Sequence, residues 1–132
     1  MKPGISIEDL PNIDLIVISH NHYDHLDRLT LEKIHQKQKD QPPRIFVPLN
    51  QKEWFEDLEI PNVVEMDWWE EQQYLGWKIH AVPVQHWSGR KLWDRNQVLW
   101  AGWVLEHPKF RFFFAGDTGY SKDFIDLGKK FE

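Results

Sequence analysis

Residues 18–27, ISHNHYDHLD, hold three histidines and two aspartates directly after the apolar run IDLIVI. Imidazole and carboxylate without thiolate is a donor set that suits zinc, with manganese or iron as further candidates. Residues two apart on a strand point to one side. His20 and His22 can therefore converge on one cation where the strand ends. Asp24 and His25, on the turn that follows, can reach a second cation beside it. Two later groups also close extended runs: His86 ends WKIHAVPVQH and Asp117 ends FRFFFAGD. Gly116 and Gly119 flank the aspartate and permit a tight turn with backbone close to a ligand. A carboxylate at that point can bridge two metals. A lone histidine or aspartate is usually structural. The combination of HxHxDH after an apolar strand, a strand-end histidine and AGDTG points to a dinuclear centre.

Six donors from separate strand ends meet only if the elements between them fold onto one edge of a sheet. IDLIVIS is a continuous β-branched run, the pattern of a strand covered on both faces. LDRLTLEKIHQKQ places Leu26, Leu29, Leu31 and Ile34 at near-helical spacing. A short strand over 44–47, a helix over QKEWFEDL capped by Asn50, and a strand at NVVEMD follow. WWEEQQYLGW reads as a turn or hairpin hinging on Gly76. WKIHAVPVQH, QVLWAGWVLEH and KFRFFFAGD read as extended, with SGRKLWDRN a loop between the first two. A Ser121 cap opens a last helix with Phe124, Ile125 and Leu127 inward. The order predicts an α/β fold with a mixed sheet.

Composition narrows the partners. The 132 residues amount to one domain or part of one, and a formal charge of -5 provides no general field for nucleic acid. No cysteine is present, so disulfides and thiolate ligands are both excluded. The first residues lack the apolar core of a signal peptide, and no apolar run approaches the ~20 residues that span a bilayer. A cytoplasmic protein is the expectation, with peripheral membrane contact as an addition. Eight tryptophans and eight phenylalanines imply a large aromatic core, the expectation for Trp100, Phe112, Phe113 and Phe114. The alternative use of Trp68, Trp69, Trp87, Trp93, Trp100 and Trp103 is an interfacial or acyl-binding surface.

ISHNHYDHLD, VPVQHWSGR and FFFAGDTGY resemble the signature of the metallo-β-lactamase superfamily. They are similar in particular to its N-acylphosphatidylethanolamine-hydrolysing phospholipase D group, as are PGISIEDLP, DWWEE and NQVLWAGWVLE. The resemblance implies a four-layer αββα sandwich and a zinc-dependent phosphodiesterase acting by metal-hydroxide attack. Its substrate would be a phospholipid or other phosphodiester, its products an N-acyl ethanolamine and a phosphatidate. A lactonase, a nuclease or an inactive remnant on the same scaffold are the alternatives. By position, His20, His22 and His86 would hold one Zn2+, Asp24 and His25 the other, with Asp117 bridging. Asp24 and Asp117 are thus the catalytic candidates. Trp87, Arg90 and Tyr120 are candidates for substrate contact, Arg90 as a phosphate ligand. His35, His80 and His107 match no ligand position. The family pattern also has strands before the motif and a closing zinc-binding histidine after GDTGY. Residues 1–132 are therefore expected to be a partial domain whose second metal lacks that histidine and whose exposed apolar surface favours self-association.

Overall fold

The computed structural model describes residues 4–132. Strands β1 (Leu15–Val17), β2 (Arg44–Pro48) and β3 (Val63–Met66) form a parallel sheet in the order β1-β2-β3. Helices α1 (Arg28–Lys37) and α2 (Lys52–Glu56) make the crossovers between them. Strands β4 (Glu71–Tyr74), β5 (Trp77–Val82), β6 (Gly102–His107) and β7 (Phe110–Phe114) form an antiparallel meander, and α3 (Asp123–Lys130) follows. The parallel and antiparallel pairings expected within one mixed sheet are segregated into two. Long crossovers force the first kind of pairing, and tight turns permit the second. The β4–β5 turn is a two-residue one: Leu75 and Gly76 have φ of 50° and 80°, the left-handed pair that matches strand twist.

Alternation along each strand decides the layers. Ile45 and Val47 face Leu26, Leu31, Phe55 and Ile60 on the helical side, while Phe46 points the other way. Phe46 and Met66 meet Ile79, Ala81 and Trp103 from the second sheet. Val82 and Val104, on the far face of that sheet, pack on Leu127 and Phe124 of α3. The result is helices, sheet, sheet, helix: the expected αββα order. Trp103, Phe46 and Phe55 are the largest fully buried side chains, and truncation of any of them to alanine is worth about 3–5 kcal/mol of stability.

Local expectations differ in places. Asn50 does not cap α2; its φ is 64° and its amide donates to the Gln97 carbonyl. Asp27 caps α1, accepting from the Thr30 amide at 2.9 Å. Ser121 is not the cap of α3 either: Lys122 holds the N-cap position without a side-chain cap, and the Ser121 hydroxyl before it accepts from the Asp123 amide and donates to the Asp123 carboxylate. Leu29 and Ile125 are exposed rather than inward, as are Phe112 and Phe113. Only Phe114 of that trio turns toward the inter-sheet core.

Candidate metal centre

Three chain segments meet at one end of the two sheets. The motif strand leaves the core at Ile18, whose carbonyl accepts the Trp103 indole N–H at 2.9 Å. Its next residue, Ser19, gives its carbonyl to the Ala101 amide at 2.8 Å. The motif is thus fastened to the antiparallel sheet just before His20. Residues 85–86 lie beside it, joined to the 116–119 turn by the Gln85–Gly119 bridge and by the Thr118 hydroxyl on the Gln85 amide. Gly116 has a φ of 61°, and a Cβ there would stand 2.6 Å from the Ser19 Cβ. Only glycine lets Asp117 come this close to the motif.

The donors converge. His20 Nε2 lies 3.1 Å from His86 Nε2, which lies 3.3 Å from His22 Nδ1. His25 Nε2 lies 3.3 Å from Asp117 Oδ2, with His86 Nε2 at 4.0 Å from the same oxygen. Two triads result, His20, His22 and His86, and His20, His25 and Asp117, each with its ligand atoms within 4.8 Å of one another. Donors about 2.0–2.1 Å from a tetrahedral cation stand about 3.3–3.4 Å apart, the spacing of the first triad. His20 Nδ1 faces the Ser19 hydroxyl at 3.0 Å, leaving Nε2 for the centre. One nitrogen serves one cation, so the second position falls to His25 and Asp117, with Asp24 Oδ2 3.8 Å from His25 Nε2. Asp24 is exposed and stands outside both triads.

Electrostatics prepares the imidazoles. Burial pushes His20 down to about 4, and the neighbouring His25, His86 and His22 push in the same direction against Asp117. Burial, followed by His22, lowers His86 too. Neutral imidazole is the metal-ligating form. His22 Nε2 is buried with no hydrogen-bond partner, an orphan of the kind that native interiors avoid. Packed imidazole nitrogens with too few acceptors, beside a carboxylate, fit a pair of divalent cations.

The remaining candidates divide. Trp87 stacks edge-on against His22 at 4.1 Å and is half-exposed at the rim. Tyr120, next in sequence to the 116–119 turn, is exposed. Arg90 differs from the expected phosphate ligand. Its Nη1 donates to the Asn21 and Leu26 carbonyls, both at 2.9 Å, and its guanidinium lies over the Tyr23 ring at 4.1 Å. It clamps the turn that carries His22, Asp24 and His25. Asn21 completes the clamp, accepting the Gly89 amide at 2.7 Å. Asn21 is a site residue that the ligand pattern does not single out. Its strand parity, opposite to His20 and His22, was the available signal.

Among relatives, a mitochondrial N-acyl-phosphatidylethanolamine-hydrolyzing phospholipase D of Saccharomyces cerevisiae is 41% identical over 131 residues, covering 95% of this chain and 27% of that protein. The chain spans about a third of the length of the curated relatives it matches. A possible metal-dependent hydrolase from Veillonella parvula superposes with a TM-score of 0.76 at 20% identity, over 97% of this chain and 49% of its own. The diiron β-hydroxylase CmlA of Streptomyces venezuelae gives 0.68 at 22%, over 96% and 25%. Both share the fold. The family profile described as "Beta-lactamase superfamily domain" matches residues 1–131. With its αββα layers and histidine-lined rim, the chain belongs to the β-lactamase superfamily and has the metallo-β-lactamase fold.

Proposed function

We propose that this chain carries the reaction centre of a metal-dependent hydrolase. Its substrate in this reading is a phospholipid phosphodiester, N-acylphosphatidylethanolamine first, cleaved to an N-acyl ethanolamine and a phosphatidate. The convergence of imidazole nitrogens at 3.1–3.3 Å carries the metal-centre reading. The likeness to a yeast protein named for that lipid supports the substrate class.

His20, His22 and His86 would hold one zinc, and His25 with Asp24 the other, Asp117 serving both. When bound, such a pair supplies Lewis acidity and brings the pKa of water toward about 7. The chain's own groups do the rest. Burial keeps His20 and His86 unprotonated. Asp24, exposed beside His25, takes the proton of the attacking water on its carboxylate. The water oxygen bonds to phosphorus as the bond from phosphorus to the ethanolamine oxygen breaks, and Asp24 hands the proton it took to that departing oxygen. Trp87 and Tyr120 flank the lipid at the rim, while Arg90 acts from behind by holding the motif turn. Among the described residues no helix is long and apolar enough to cross a membrane; peripheral contact with the lipid belongs to this proposal. The exposed Phe110, Phe112 and Phe113 of β7, an edge strand, are where self-association would occur.

The test is metal content per chain together with a panel of N-acylphosphatidylethanolamine, a lactone and single-stranded DNA, each with and without chelator. Two zinc ions per chain and lipid turnover abolished by chelation are expected. Turnover that survives chelation, or less than one metal per chain, defeats the reading.

A further inference from the structure

Leu92 and Trp93 are 98% and 74% exposed, yet the loop that presents them is built rather than loose. At its base, Ser88 and Asn96 are paired twice: the Asn96 amide donates to the Ser88 carbonyl, and the Ser88 amide to the Asn96 side chain. The Ser88 hydroxyl donates to the Val98 carbonyl. Inside the loop, the Asp94 carboxylate accepts the amides of Arg90 and Lys91 at 2.9 Å each. That turn leaves Leu92 and Trp93 at the crest. The Trp93 carbonyl is itself held by the Gln97 side chain at 3.2 Å. Two large apolar side chains fixed outward on an ordered loop contradict the burial that folding normally enforces, and such placement marks a contact surface.

The surroundings indicate what the surface meets. Segment 87–97 carries Arg90, Lys91 and Arg95 against Asp94, a local balance of +2 (three cations less one carboxylate) on a chain of -5. Asp94 is turned onto backbone amides and Arg90 onto the Asn21 and Leu26 carbonyls, so the outward charges are those of Lys91 and Arg95. Arg95 lies 5.0 Å above the Trp87 ring, and Trp87 packs on His22. The loop behind the crest thus reaches the histidine cluster through Arg95 and Trp87. Tyr23, exposed, hydrogen-bonds to the Arg90 carbonyl at 3.1 Å on the same rim. Tryptophan and leucine flanked by lysine and arginine fit the boundary between headgroups and acyl chains of an anionic bilayer.

We propose that loop 87–98 is a membrane-docking element whose crest, Leu92 and Trp93, enters the interfacial layer of an anionic phospholipid bilayer. Docking there brings the histidine-lined rim against the headgroups. The choice of lipid as the partner rests on the phosphodiesterase reading; the geometry of the crest does not.

The test is co-flotation of the chain with vesicles of phosphatidylcholine alone or of equal parts phosphatidylcholine and phosphatidylglycerol, without any substrate turnover. Wild type should bind the mixed vesicles about tenfold or more tightly than the neutral ones. Leu92→Ser/Trp93→Ser should lose about tenfold or more, with circular dichroism and metal content unchanged. Trp93→Phe should keep most of the binding. Lys91→Ser/Arg95→Ser should reduce the preference for the anionic vesicles. Failure of wild type to float, or flotation indifferent to the crest variant, overturns the assignment. So does a wild-type chain that ignores vesicles and dimerises through the crest. Because flotation counts bound protein, a chain that floats but hydrolyses nothing rejects only the enzymatic reading. One that hydrolyses a soluble phosphodiester but never floats rejects only the docking.

Discussion

His20 and His80 are almost equally buried, 1% and 4% exposed, the first beyond β1 of the parallel sheet and the second on β5 of the antiparallel one. Their neighbours are opposite in kind. His80 Nε2 meets Glu106 at 2.8 Å, its Nδ1 has Glu71 at 3.7 Å, and Arg111 closes the far side of Glu106 at 2.7 Å. Phe131 covers the ring. Burial alone would raise Glu106, but His80 and Arg111 outweigh it and hold the carboxyl below its ordinary value. That cluster is satisfied. His20 instead faces three imidazoles and has its pKa pushed to about 4. A buried histidine whose ring nitrogens face carboxylates has its partners within the fold; one packed against other imidazoles lacks acceptors there.

The contrast is sharpest under substitution. Asp117→Ala should cut metal content at both positions by tenfold or more, about the loss expected when a shared ligand goes. His86→Ala should empty mainly one, and His80→Gln neither. Metal analysis by mass spectrometry separates these, and equal loss in the His80 variant would erase the distinction. Arg90→Ala should weaken metal affinity by about tenfold, as removal of groups that orient ligands does, without removing a ligand. Arg90→Lys recovers little, because a point charge cannot reach both carbonyls in one plane. Competition with a chelator reads both.

Acid separates the clusters by pH window. The folded value of His20, about 4, lies below its ordinary 6.5. Between the two the unfolded chain takes a proton that the folded chain refuses. Metal-free stability from this group is therefore full above 6.5 and falls as pH drops toward 4. Glu106 is depressed from 4.5, so its contribution persists until the pH passes below that point. Urea midpoints across this range should decline in two stages. The smallest effect is Glu106→Gln, about 1–2 kcal/mol at neutral pH, and it should leave metal binding alone.

Much of this was legible from letters. The strand period put His20 and His22 on one side, and the glycines around Asp117 announced a close approach, here enforced by Ser19. The apolar runs gave an α/β class with one mixed sheet; the four layers came only with the family resemblance, and the pairings separate into two sheets. The misreadings share a physical origin. Phe112, Phe113, Leu29 and Ile125 have core chemistry, but their burial depends on what covers a face, which no local pattern encodes. Arg90 followed a ligand in a polar loop and looked free to meet phosphate. Only tertiary placement shows its Nη1 taken by two carbonyls sixty-odd residues away in sequence.

The indole of Trp103 reaching the Ile18 carbonyl has a thermodynamic corollary. Interior and rim share a rivet, so they should melt as one cooperative unit rather than in sequence. A cation that prefers the native chain then raises its melting temperature in proportion to the logarithm of free metal concentration. A calorimeter, with no substrate in the cell, would sense the ligands at the rim through the heat absorbed by the core.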